Sequence, residues 1–215
     1  MSDAAARRPA APTSPRPPAR VSLAWALRRA LLRLLGIAAV LVAGATLWNS
    51  PLAALPRATW RLARLPPPTA LPVPVDGVQA RQIADTFGAP RGNGRRHAGV
   101  DIFAARGTPV RSASDGIIAE VGDHGRGGRQ VWVLGPARER YYYAHLQDWR
   151  EGLAAGQVIQ AGTLLGYVGD TGNARGTPPH LHWGIYGAGG AYDPLPLLRA
   201  GARASGPGGA PVKRR

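Results

Sequence analysis

His180-Leu181-His182-Trp183-Gly184-Ile185-Tyr186 is the stretch whose pattern decides the fold. In an extended chain successive side chains face opposite sides, so His180 and His182 share one face while Leu181 and Trp183 share the other. A strand of that kind buries its apolar face in a sheet and offers its polar face to a cavity. Similar short runs recur upstream: Gly99 to Phe103, Gly116 to Val121, Gln130 to Leu134, Tyr141 to Leu146 and Leu164 to Val168. Asp115-Gly116, Gly127-Gly128, Gly162 and Thr171-Gly172 punctuate them. This spacing predicts a mainly β fold, a single compact antiparallel β-sheet domain with one packed face. No long amphipathic helix interrupts it; the nearest candidate, Pro194 to Ala200, makes about two turns.

Histidine is scarce, with five in 215 residues. Besides His180 and His182, the chain carries His97, with Asp101 four residues on, and His145. Imidazole supplies neutral nitrogen ligands and a proton acceptor near neutral pH, and a carboxylate adds a hard oxygen ligand. A catalytic zinc site commonly takes three such ligands and leaves one position open. His97, Asp101 and one of His180 or His182 satisfy that count, leaving the other histidines for proton transfer. Gly99 and β-branched Val100 place His97 and Asp101 on a loop entering a strand rather than on a helix. If the strand through Tyr141 to Leu146 is regular, Tyr141, Tyr143 and His145 share a face. His124, in the Gly122-Asp123-His124-Gly125 turn, reads as a solvated histidine without a role. Tyr143 and Trp183 read as packing residues, and Asp170 and Asp193 as turn carboxylates.

The formal charge of +15 suits a polyanionic partner, because clustered cations gain from counterion release. Its distribution argues against nucleic acid. Arg7, Arg8, Arg16, Arg20, Arg28, Arg29 and Arg33 precede the longest apolar run, and the core shows no zinc finger, recognition helix or aromatic-plus-basic sheet signature. The absence of cysteine excludes disulfides, thiolate ligands and cysteine nucleophiles.

From Leu34 to Trp48 the chain carries no charge, and Ala30, Leu31 and Leu32 extend the run if Arg33 snorkels. Arginines crowd its N-terminal side, so the positive-inside rule leaves the N-terminus in the cytoplasm and exports the rest. A single-pass signal anchor is the first reading. A cleaved signal peptide is the second, since Ala43-Gly44-Ala45 has the small-x-small pattern of a cleavage site. A buried helix of a soluble domain fits poorly, because the run has no polar face. The expected organisation is a basic disordered cytoplasmic segment over 1–30, a transmembrane helix over 31–48, a Pro-rich linker over 49–76, the β domain over 77–199 and a disordered basic tail over 200–215. The linker and the two ends are too poor in apolar residues to offset the entropy of ordering.

Taken in order, the motifs resemble the lysostaphin/LytM family of zinc peptidoglycan endopeptidases. The resemblance runs from Asp85 to Pro194: Phe87-Gly88 and Arg91, then His97-Ala98-Gly99-Val100-Asp101, Gly107-Thr108-Pro109-Val110, Asp115-Gly116, Tyr143-Ala144-His145-Leu146, Gly156-Gln157, Gly166, Gly169-Asp170-Thr171-Gly172, Pro179-His180-Leu181-His182 and Asp193-Pro194. It implies the family's duplicated-hybrid-motif β fold, Zn2+ as cofactor with His97, Asp101 and His182 as ligands, and His145 and His180 as catalytic residues beside the metal. It implies hydrolysis of an amide in a peptidoglycan cross-link or stem, at the inner membrane with the catalytic domain on the periplasmic or extracytoplasmic side. Peptidoglycan and, through the N-terminal helix, the membrane are the expected partners. The segment Gly172 to Pro179 is longer than the family's usual small loop, and the turn Gly135-Pro136-Ala137-Arg138 replaces a polar hairpin. A metal-free regulator or scaffold of other wall hydrolases is the alternative, although such members lose ligands that this chain keeps. A wall-binding module is a third possibility, whose binding would survive loss of His182.

Overall fold

In the computed structural model, which describes residues 23–92 and 94–204, two helices precede the sheet region: α1 (Leu23–Asn49) and α2 (Ala54–Arg64). The strands follow as β1 (Pro90–Arg91), β2 (Arg95–Arg96), β3 (Val100–Phe103), β4 (Pro109–Arg111), β5 (Gly116–His124), β6 (Gly128–Leu134), β7 (Arg140–Ala144), β8 (Leu146–Trp149), β9 (Val158–Ile159), β10 (Leu164–Val168), β11 (His180–Gly187) and β12 (Gly190–Tyr192). Helix α3 (Leu195–Ala204) closes the described chain. Every pairing is antiparallel. A seven-stranded sheet runs β12-β11-β7-β6-β5-β9 with β3 also on β11, and a three-stranded sheet runs β4-β10-β8.

Strand β11 organises the large sheet. One of its edges pairs with β7, and the other with β3 along its first half and β12 along its second. Leu181, Trp183 and Ile185 are fully buried, while His182 and Tyr186 on the alternate face reach the surface. Val100 and Ile102 of β3, Tyr141 and Tyr143 of β7, and Val131 and Val133 of β6 complete the same apolar layer. Val110, Leu165 and Val168 of the smaller sheet pack against it in one core. The mainly β antiparallel fold expected from the alternation is the fold observed.

The strand expected over Tyr141 to Leu146 is not regular. His145 has φ 63, a left-handed conformation, and separates β7 from β8. The chain leaves the large sheet there and enters the small one. Tyr141 and Tyr143 therefore face the core while His145 turns to the opposite side, so the three do not share a face.

Two segments fold beyond expectation. The stretch read as a Pro-rich linker contains α2, in which Ala58 and Leu62 are buried with Ile117. Pro56 falls in the first turn of that helix, where a missing N–H costs nothing. Further on, Leu71 and Val75 join the main core. Helix α3 extends past Ala200 to Ala204 because Leu198 and Gly201 are buried, and Asp193 Oδ1 accepts the Leu195 N–H at 2.9 Å at its start. Of the segments expected to be disordered, 1–30 and 200–215, residues 23–30 and 200–204 are helical in α1 and α3, and residues 1–22 and 205–215 lie outside the described residues.

Helix α1 is apolar, with a mean hydropathy of 2.2 over its best window and none of its residues buried. Among the described residues it is the one helix long and apolar enough to cross a membrane. Its 27 residues span roughly 40 Å at 1.5 Å per residue.

Candidate metal centre and its cleft

The register of three strands assembles the site. His182 of β11 lies opposite Asp101 on β3 and opposite Ala144 on β7, the residue before His145. His97 reaches the same row from the loop ahead of β3, which packs tightly on β11. A Cβ on Gly99 would collide with the Trp183 carbonyl, so only glycine permits this approach. The His97 backbone is fixed as well: its N–H donates to the Ala89 carbonyl at 2.9 Å, and its carbonyl accepts from Gly88 N–H at 2.9 Å.

One atom from each of His97, Asp101 and His182 lies within 4.8 Å of the others. His97 Nε2 is 2.8 Å from His182 Nδ1, and each of these nitrogens is 3.1 Å from Asp101 Oδ1. The other ring nitrogen of His97, Nδ1, donates to the Thr86 carbonyl at 2.8 Å, which leaves Nε2 with its lone pair towards the cluster. Asp101 is held ionised. Burial pushes its carboxyl up, but the close polar contacts with His182, His97 and the Arg91 guanidinium outweigh burial and keep it well below the usual carboxylate range. Arg91 donates to Asp101 Oδ2 at 2.6 Å, so Oδ1 is the oxygen turned to the histidines. Burial lowers the His182 pKa against the opposing pull of Asp101. Two imidazole nitrogens and an anionic oxygen converging at these distances repel one another unless a proton or cation lies between them. The donor set fits a zinc ion, which takes nitrogen and oxygen ligands of these types.

His145 and His180 flank the cluster. Their rings are 5.1 Å apart, and His145 is 5.9 Å from the His182 ring. His145 Nδ1 donates to the Thr171 carbonyl at 2.9 Å and His180 Nδ1 to the Pro178 carbonyl at 2.8 Å. Each ring thus keeps Nε2 as an acceptor, and His180 Nε2 stands 4.0 Å from Asp101 Oδ1. Burial, followed by the neighbouring His182 and His180, lowers the His145 pKa to about 4, which keeps the ring neutral at physiological pH.

These side chains form the base of an open cleft of about 620 Å³. Trp132, Tyr142 and Tyr186 line one side, with Tyr142 edge-on to His182 at 5.8 Å. Asn173, Thr177 and Pro178 of the long Gly172 to Pro179 loop form part of its wall, and Arg95, Arg96 and Arg126 are exposed at its rim. The five residues singled out in the sequence come together. Tyr142 and the three backbone carbonyls that orient the histidines were not among them: Tyr142 faces the cleft by its alternation with Tyr141 and Tyr143 on β7, His145 joins that side only because the strand breaks there, and carbonyl partners carry no sequence signal. His124 lies apart, paired with Glu120 at 2.8 Å on the surface. Asp170 pairs with Arg106 at 2.7 Å, and Tyr143 and Trp183 are core residues.

A β-sheet domain that turns two histidines and an aspartate into an open cleft, with two further histidines beside them, has the equipment of a mononuclear zinc hydrolase. Residues 95–194 match Peptidase family M23, and the domain they form belongs to that family, whose enzymes are zinc-dependent. The chain is 37% identical over 129 residues to the L-Ala--D-Glu endopeptidase of Bacillus subtilis, a match that covers 55% of this chain and 40% of that protein. A putative glycyl-glycine endopeptidase lytM from Ruminococcus gnavus superposes with a TM-score of 0.52 at 30% identity, over 68% of this chain and 65% of that one. A zinc containing peptidase from Vibrio cholerae gives a TM-score of 0.51 at 29% identity, over 59% and 39% of the two chains. The chain spans less than half the length of the curated relatives it matches.

Proposed function

We propose that this chain is a zinc endopeptidase that hydrolyses amide bonds in peptidoglycan peptide cross-links or stems, tethered to the membrane by α1. The observation that carries the proposal is the convergence of His97 Nε2, Asp101 Oδ1 and His182 Nδ1 in a cleft open to solvent. These residues hold the metal. Bound zinc supplies Lewis acidity, polarising a carbonyl and making water easier to deprotonate.

The chain's own groups perform the remaining work. His145 and His180 turn their Nε2 atoms to the cleft and handle the proton: it leaves the attacking water as the new C–O bond forms, and it reaches the departing amine as the C–N bond breaks. Backbone carbonyls at Thr171 and Pro178 fix both rings in the tautomer this requires. Tyr142, Trp132 and Tyr186 offer the substrate an apolar wall, and the arginines at the rim suit the carboxylates of a stem peptide. Arg28, Arg29 and Arg33 near the start of α1 support a cytoplasmic N-terminus with the domain outside, at the wall.

Mass spectrometry of the soluble products from sacculi incubated with the full chain tests this reading. Fragments with new amine and carboxyl ends at a peptide bond are expected from wild type, and only a trace from His145→Ala or His180→Ala. Products cleaved in the glycan strand alone, or wild-type yield from both variants, would contradict it.

A further inference from the structure

Helix α2 has two unlike faces. Ala58 and Leu62 pack with Ile117, and Arg61 approaches Asp115 at 3.9 Å, which docks the helix on β5. The opposite stripe carries Arg57, Trp60 and Arg64, spaced so that they stand one above another. Trp60 is 52% exposed, the Arg64 guanidinium lies over its ring at 4.1 Å, and Trp48 meets it edge-on at 6.4 Å. Leu52, 83% exposed, and Leu55 extend the apolar patch. Arg57 donates to the carbonyls of Trp48 and, at 3.1 Å, Ser50, so the turn leading into α2 is tied rather than loose. The helix contains no acidic residue.

Exposed indole rings interleaved with arginines are poorly suited to water and well suited to the headgroup layer of a bilayer. There the ring lies at the boundary between headgroups and acyl chains while the guanidinium reaches phosphate. The patch also begins at Trp48, within the last residues of the helix able to span a membrane. A second copy of the chain is a poor occupant, because self-association would bring arginine against arginine. We propose that the Trp48, Leu52, Trp60 and Arg64 face is a membrane-surface site that takes anionic phospholipid headgroups, and that α2 seats the β5 side of the domain on the bilayer. The proposal rests on the reading of α1 as a membrane span. It replaces a free tether with a fixed seat and confines the cleft to wall close to the membrane.

The chain lacks cysteine, so single-cysteine labelling is clean. Full-length Trp60→Cys and, as a control in the exposed turn between β11 and β12, Ala188→Cys are labelled with a nitroxide. Both are reconstituted in phosphatidylcholine vesicles with and without phosphatidylglycerol, and relaxation by a water-soluble nickel chelate is measured. The label at 60 is expected to be shielded severalfold relative to that at 188, and more so with phosphatidylglycerol. Equal accessibility at the two positions overturns the site, and shielding indifferent to the lipid overturns its anionic specificity. Spin–spin broadening that grows with protein density assigns the face to a second copy and also overturns it. Alkaline carbonate extraction of the same vesicles reads α1 separately. A chain that resists extraction with an exposed label keeps its anchor and loses the seat; an extracted chain with a shielded label does the reverse.

Discussion

His145 sits at φ 63 with its N–H donating to the Gly127 carbonyl at 2.9 Å. A left-handed backbone costs a residue with a Cβ roughly 1–2 kcal/mol, and such positions persist where function holds them. The strained corner is what turns the ring away from the core side of β7 and into the cleft. His145→Gly is therefore expected to be about 1 kcal/mol more stable than His145→Ala in denaturant unfolding. Both variants are expected to retain zinc and to lose most turnover, because the ring stands outside the His97, Asp101 and His182 donor set. Equal stability of the two would show that the corner is relaxed, and zinc loss in either would make His145 a ligand.

At the scale of elements, β11 was legible because strict alternation of His180, Leu181, His182 and Trp183 admits one arrangement, with the imidazoles on one face and the apolar pair in the core. The irregular passage from β7 to β8 was not, since it depends on a left-handed histidine that no residue preference announces. Helix α2 was hidden by Pro56 and the prolines on either side of it; its burial rests on Ala58 and Leu62 alone. The Gly99 contact yields a prediction at this scale. In Gly99→Ala the new methyl group meets the Trp183 carbonyl, and the loop carrying His97 must lift from β11. A loss of about 1–3 kcal/mol is expected in thermal or denaturant unfolding, together with weaker zinc binding in a chelator competition. Wild-type zinc affinity in a destabilised Gly99→Ala would separate the loop's packing from its role at the site.

Across the whole molecule, Tyr141 and Tyr143 make stability depend on alkaline pH. Burial, with the nearby Glu139 carboxylate and its hydrogen bond, raises the Tyr141 pKa, and burial raises that of Tyr143. A group neutral in the folded chain and ionised in the unfolded one stabilises fully below the unfolded value of 10.0 and loses that contribution as pH rises above it. Each of the two is expected to add a slope of about 1.4 kcal/mol per pH unit above that point. Denaturant midpoints from roughly pH 9 to 12 check this. Tyr141→Phe should flatten the profile by one such slope, and an unchanged profile would show that Tyr141 ionises freely. Reporter fusions at the two ends test orientation: a cytoplasmic N-terminus and an exported C-terminus are expected, and an external N-terminus would contradict the charge argument at α1.

The five residues of the centre were legible as an ordered series, whereas their distances, tautomers and shared cleft required the fold. Zinc content measured alongside release of peptide fragments from sacculi, for wild type and His182→Ala with and without chelator, tests their joint function most directly. Wild type is expected to hold zinc and release fragments, to lose both to chelator and to regain both on adding zinc, while folded His182→Ala does neither. A folded, zinc-free wild-type chain that cleaves nothing, or release that persists without zinc, would contradict it.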